Sequence, residues 1–267
     1  MKDFQILIPM TGNGSRFKKA GYKTLKPFIE IYKKPMIEWV VKLFPGDENK
    51  INFICREDHL RENSYFKKTL ETIAPRAKII ALEGWEKKGP AYDILSCSNK
   101  IDDSKPTIVS YCDYFMKWDY TQFKTDVLNK ECDGAIPTYT GFHPNLIPEK
   151  NLYASCKTDK FSNLLEIREK YSWHKEKSKS LHSPGTYYFK EGGLMKRYIE
   201  KMINANDTVN SEYYMSLPYN YMVQDGLTIW CPTNVKKFCQ WGTPRDLEEF
   251  LKWQKIIKLQ EEEEEEK

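Results

Sequence analysis

Residues 6–27, ILIPMTGNGSRFKKAGYKTLKP, constrain this chain more than any other stretch. Ile6, Leu7, Ile8, Pro9 and Met10 form a short unbroken apolar run, the pattern of a strand buried on both faces of a parallel sheet. Behind it, Gly12 and Gly14 free the backbone to turn sharply and to bring its N–H groups against a ligand. Such a nest of amides favours an anion, most often phosphate. Arg16 adds a planar charge and Lys26 a compact one. A lone Gly-x-Gly reads equally well as a tight turn with solvated basic side chains.

The longer combination is more specific. Gly12, Gly14, Ser15, Arg16, Phe17, Lys26 and Pro27 resemble, position by position, the signature of the sugar-nucleotidyltransferase superfamily: Gly-x-Gly-Ser/Thr-Arg-apolar, a short spacer, then Lys-Pro. Two other phosphate loops are excluded. Phe17 stands where a Rossmann fingerprint has its third glycine, and no Gly-Lys-Ser/Thr follows as in a Walker A loop.

At 267 residues the chain has room for one large α/β domain, or for one domain with a small insertion. We read a single domain over 1–260, with a nucleotide-binding half at 1–140, an acceptor-binding half at 141–260, and an acidic tail at 261–267. No apolar run reaches the length of a membrane span, and nothing before the glycines has the apolar core of a signal peptide, so a cytoplasmic protein is expected. The seven cysteines are scattered, without a Cys-x-x-Cys, and only four histidines accompany them. That fits free thiols, and neither a disulfide frame nor a zinc site. The net charge of +4 hides an asymmetry: without the tail, six glutamates and one lysine, the body carries +9. A basic body suits a small polyanion better than nucleic acid here, since no nucleic-acid module is visible. The tail itself is expected to be a frayed, solvated end.

Along the chain, 34–44 reads as an amphipathic helix with Pro35 in its first turn, 52–55 as a strand, 57–72 as a helix and 78–82 as a strand. Gly89, Pro90 and Ala91 open a helix. Residues 107–110 form a buried strand that runs into Asp113, where an open α/β sheet binds its ligands; a hard carboxylate there suits Mg²⁺. Asp119 is a weaker candidate that serves equally as a helix cap. The second half changes character, with a strand at 134–138, a Pro- and Asn-rich loop at 142–152, a hairpin turning near Asp159, an aromatic strand at 183–189, a helix at 194–203, another beginning at Ser211 and Glu212, and a strand at 226–231. Thr243 and Pro244 have the cap and first-turn chemistry of a final helix. The fold class is therefore α/β, a doubly wound, mostly parallel sheet with a smaller antiparallel part.

The resemblance implies a GT-A-like nucleotidyltransferase fold and roles for particular residues. Met10, Thr11, Gly12, Asn13, Gly14 and Ser15 would bind the nucleotide triphosphate, and Gly89, Pro90 and Ala91 its base. Arg16 and Lys26 would be catalytic, Asp113 would hold Mg²⁺, and Glu169, Lys170, Gly185, Tyr187 and Glu212 would hold the acceptor. Glu212 is equally a first-turn acid facing a helix dipole. The chain departs from the family at Tyr171, where a proline usually follows the Glu-Lys pair, and at Gln240, where many relatives carry a second metal-binding acid; Asp225 and Asp246 are the candidates to stand in. The implied reaction joins an NTP to a phosphorylated acceptor and releases pyrophosphate. The loop spelling is similar to that of enzymes of bacterial capsule and surface-polysaccharide pathways, several of which use CTP, so CTP is favoured and the acceptor is a phosphorylated sugar, polyol or similar molecule. A homo-oligomer is compatible with the sequence. The rival readings are a GT-A glycosyltransferase, which normally has an Asp-x-Asp motif that is absent here, and a non-catalytic nucleotide-sugar-binding module, which has no need of both Lys26 and Asp113.

Overall fold

The computed structural model describes residues 3–141 and 151–265, with side chains to residue 255. Its centre is a seven-stranded sheet: β1 (Gln5–Pro9), β2 (Ile51–Arg56), β3 (Lys78–Leu82), β4 (Thr107–Ser110), β5 (Gly134–Ala135), β6 (Thr186–Phe189) and β7 (Ile229–Trp230). The spatial order is β7-β5-β6-β4-β1-β2-β3. Every neighbouring pair is parallel except those made by β6, which runs against both β4 and β5.

The apolar run at the start of the chain explains the layering. β1 pairs with β2 on one edge and β4 on the other. Because side chains alternate across a strand, Ile6 and Ile8 enter one apolar cluster with Val40, Phe44 and Phe53, while Leu7 enters the opposite one with Ile54, Val109 and Ile94. Both faces of β1 are covered, so every residue of Ile6–Ile8 is apolar and buried. The helix Met36–Val41 packs with the first cluster; Pro90–Ser96 and Gly192–Asn204 pack with the second.

Three small antiparallel sheets decorate this core. Ser155–Thr158, Leu164–Arg168 and Leu181–His182 form one, containing the expected hairpin. Tyr114–Lys117, directly after β4, pairs with Lys237–Gln240 near the end of the chain. Glu30–Ile31 pairs with Lys34–Pro35.

Several local expectations need correction. Lys34 and Pro35 belong to that last ribbon, and the helix starts only at Met36. The helix expected over 57–72 is two, Glu57–Glu62 and Ser64–Ile73, interrupted where Asn63 adopts φ −138° and ψ 87°. Ser211 and Glu212 do not start a helix: Ser211 has φ +61°, and the helix begins at Pro218, which takes the first-turn place that proline tolerates. Asp119 is a helix cap, its carboxylate accepting from the Gln122 N–H at 2.9 Å. The last helix runs Pro244–Glu265 and takes in most of the glutamate run expected to fray; glutamate is intrinsically a good helix former. Most of the loop expected over 142–152 lies outside the described residues. No helix among the described residues is long and apolar enough to cross a membrane.

Leu7→Ala should lower the unfolding free energy by about 2–5 kcal/mol in urea titrations, the range for emptying a fully packed leucine site. Phe161→Ala, at a ring that is 68% exposed, should change it by no more than about 0.5 kcal/mol.

Candidate active site

The carboxyl ends of β1 and β4 open into a cleft of about 450 Å³. Its walls include Met10, Gly12, Asn13, Gly14, Ser15, Arg16, Lys26, Asp113, Glu169, Lys170, Gly185, Tyr187 and Glu212. Parts of the chain more than 150 residues apart are thus gathered at one rim, as expected for ligand sites of open α/β sheets.

The glycine loop leaves β1 and enters the short helix Ser15–Lys19 through Gly14, which has φ +59°. A Cβ at Gly14 would sit 3.3 Å from Lys26 Cβ, so glycine serves both the left-handed turn and the close passage of the Lys26 segment. Asn13 is anchored from outside: the Arg56 guanidinium donates to Asn13 Oδ1, is held by Asp58, and lies 4.3 Å from the Trp85 ring centroid. Beneath the loop, the Thr11 hydroxyl donates to the buried Asp93 carboxylate. Burial pushes the Asp93 carboxyl up to about 6, against the pull of that hydroxyl.

Asp113 follows β4. Its backbone carbonyl accepts from Trp241 N–H at 2.9 Å, and the next residue, Tyr114, pairs with Gln240. Its Oδ2 lies 2.5 Å from Lys26 Nζ. Burial pulls the Lys26 ammonium down, but the Asp113 carboxylate outweighs this and holds its pKa above the ordinary lysine value. Gln240 also lines the cleft, and its buried Oε1 has no hydrogen-bond partner among the described residues.

The opposite wall is aromatic and acidic. Glu169 accepts from the Ser216 hydroxyl at 2.5 Å. Burial lifts its carboxyl to about 7, with Ser216 and Lys170 drawing it back. Lys170 Nζ donates to Tyr214 Oη at 3.3 Å, and Tyr214 Oη donates to Glu212 Oε2 at 3.0 Å. Gly185, at φ +101°, faces Tyr111, whose Cδ2 would be 2.9 Å from a Cβ there. Burial keeps the phenols of Tyr111 and Tyr187 well above their ordinary pKa and hence neutral.

Thr11, Gly89, Pro90 and Ala91 are not among the residues lining this cleft. Thr11 is bound to Asp93 below it, and Ala91 N–H donates to the Tyr213 carbonyl, next to Glu212. Asp225 is remote from the site, engaged by Lys201 and Tyr198. Sequence reasoning passed over Arg56, Asp93, Tyr111 and Tyr214, and over Lys87, which lines the cleft with its Nζ 3.7 Å from Glu212 Oε1. Arg56 and Tyr111 stand at the carboxyl ends of β2 and β4, so the rule that singled out Asp113 could have found them. Among the described residues no group of three or more His, Cys, Asp or Glu side chains is arranged to hold a metal ion.

A model of the nucleotidyl transferase family matches residues 6–230. A search of curated proteins gave no match. Among solved structures, the chain is similar to a nucleoside-diphosphate-sugar pyrophosphorylase from Vibrio cholerae RC9, with TM-score 0.73 and 19% identity over 93% of this chain and 100% of that one. A putative glucose-1-phosphate thymidylyltransferase from Bacillus anthracis, in complex with a sucrose, gives 0.69 and 17% over 92% and 93%. A UDP-glucose pyrophosphorylase complexed with UDP-glucose gives 0.70 and 16% over 92% and 96%. At these identities the structural likeness speaks to the fold alone.

The raised pKa of Asp93 makes a signed prediction. Its folded value, about 6, exceeds its unfolded value, so the native state holds the proton more tightly and loses stability as pH climbs from about 4 to 6. Asp93→Asn, which keeps an acceptor for Thr11, should abolish that loss. Thermal and urea unfolding should show it gaining roughly 1–3 kcal/mol over wild type at pH 8 relative to pH 4.

Proposed function

The chain belongs to the nucleotidyl transferase family, and we propose that it transfers NMP from an NTP to a phosphorylated sugar, polyol or similar small acceptor, releasing pyrophosphate. The observation that carries this reading is the convergence of the glycine loop, Arg16, Lys26 and Asp113 on one cleft. The nucleotide we favour is CTP, and the setting precursor synthesis for bacterial capsule or surface polysaccharide; both rest on the spelling of residues 9–27. An NTP substrate makes the cytoplasm the proposed compartment.

The chemistry asks little covalent help of the protein. A phosphate acceptor is already nucleophilic at neutral pH, so no general base is required. What is needed is alignment at the α-phosphate and neutralisation of the charge that builds there and on the leaving pyrophosphate. In this reading the amides of Gly12–Ser15 cradle the triphosphate, Arg16 faces the departing pyrophosphate, and Lys26 stabilises charge on the α-phosphate. Glu169, Lys170, Gly185, Tyr187 and Glu212 hold the acceptor across the cleft, and Gly89, Pro90 and Ala91 support the base from the side of Glu212. The residues also fit Mg²⁺: Asp113 offers a carboxylate and Gln240 a buried amide oxygen with no hydrogen-bond partner among the described residues, in keeping with an ion held by one or two carboxylates and completed by substrate phosphates. Bound there it would supply positive charge that offsets the charge of the phosphates. The division at residue 140 and any homo-oligomer remain parts of the proposal.

A pyrophosphate-release screen of four NTPs against phosphorylated sugars, polyols and amino alcohols tests it; CTP with one acceptor class should give turnover, and no release with any pair would remove the proposal. A glycosyltransferase releases none, so the assay separates that rival as well. Lys26→Ala should lower kcat by about 10²-fold or more, the scale for losing one transition-state donor, while the variant stays folded.

A further inference from the structure

We propose that Lys26 and a divalent cation are alternative partners of Asp113, so that the protein without nucleotide has no standing metal site and takes up its metal only together with the triphosphate. The inference rests on the nucleotidyl-transfer reading above and deepens it. Lys26 Nζ lies 2.5 Å from Asp113 Oδ2, so the ammonium stands where an ion bound to that oxygen would stand. Two cations at one carboxylate oxygen repel, and Arg16 nearby adds to the positive field.

The surroundings of Asp113 are also too poor in negative charge to hold a bare ion against this competition. Gln240 brings only a neutral amide. Its Nε2 and Asp113 Oδ2 lie 2.7 Å and 3.3 Å from the point a Cβ on Gly242 would occupy, so both flank the same small space. Its Oε1 is buried with no hydrogen-bond partner among the described residues. Asp246 is close enough for Asp113 to act on it, but it is not among the residues lining the cleft. Mg²⁺ dehydrates reluctantly and leans on substrate oxygens where protein carboxylates are few.

A triphosphate reverses the balance. Its oxygens complete the metal's coordination and at the same time give Lys26 a new counterion, so neither the lysine nor the carboxylate is left without a partner of opposite charge. The exchange is one of positions only: the ammonium passes from carboxylate to phosphate as the metal passes onto the carboxylate, and no covalent bond changes.

Mn²⁺ is the probe, its free concentration read from its paramagnetic resonance signal in titrations of the full chain without nucleotide. Lys26→Gln should bind Mn²⁺ at least about tenfold more tightly than wild type, because the competing charge is gone. Lys26→Arg, which keeps a cation, should stay near wild type. Lys26→Gln combined with Asp113→Asn should lose the gain. Lys26→Met repeats the comparison should Lys26→Gln fail to fold. Equal Mn²⁺ affinity in wild type and the neutral variants, including no binding by either, overturns the inference. Pyrophosphate release by wild type alongside that equality would discard the exchange and leave the reaction standing; the tenfold gain is expected whichever acceptor proves to be turned over.

Discussion

The burial of β1 on both faces and both edges is the constraint on which the rest of the molecule depends. A strand enclosed in this way has no polar outlet along its length. The first place where the backbone can offer unpaired N–H groups to a ligand is the turn beyond Met10. The same holds for β4, whose exit carries Tyr111 and Asp113. Because the two strands are adjacent and parallel, their exits lie side by side, and chemistry assembles at that rim with no long loop to position it.

The charges at the rim are set against each other by this geometry. Lys26, carried by the segment that returns past Gly14, meets Asp113 from the other strand, so a half-buried cation and a half-buried carboxylate neutralise each other. Farther along, Glu169 has no such ion pair among the described residues; its partners are the Ser216 hydroxyl and, at longer range, Lys170, and burial pushes its carboxyl up to about 7. One wall therefore stores matched charge and the other a carboxyl poised between charge states, an asymmetry that suits two chemically different substrates.

Much of this was legible in the sequence where the signal is local. The apolar run of β1, the run KIIAL of β3 and the run TIVS of β4 are found where expected, because a buried parallel strand is written in consecutive residues. Asp113 could be singled out for the same reason. What escaped is written non-locally. The pairing of Lys237–Gln240 with Tyr114–Lys117 joins segments more than 100 residues apart and leaves no periodicity in either. The grip of Arg56 on Asn13 depends on the neighbouring order of β1 and β2. Glu212 lines the cleft from outside any helix, and Pro218 is the local sign that the helix begins only after it.

One strand runs the other way, and this has an architectural consequence. Since β6 opposes β4 and β5, it brings its amino end, with Gly185, to the rim where its neighbours bring their carboxyl ends. The three-stranded sheet of residues 155–182 is therefore delivered to the cleft from upstream of a strand, while the glycine loop is delivered from downstream of one. The two walls hang from opposite chain polarities and meet where the Tyr111 N–H donates to the Gly185 carbonyl at 3.0 Å. Such a scaffold is evolvable in halves: one lip can be lengthened, shortened or rewritten by insertion between β5 and β6 without shifting the register of β1 against its neighbours.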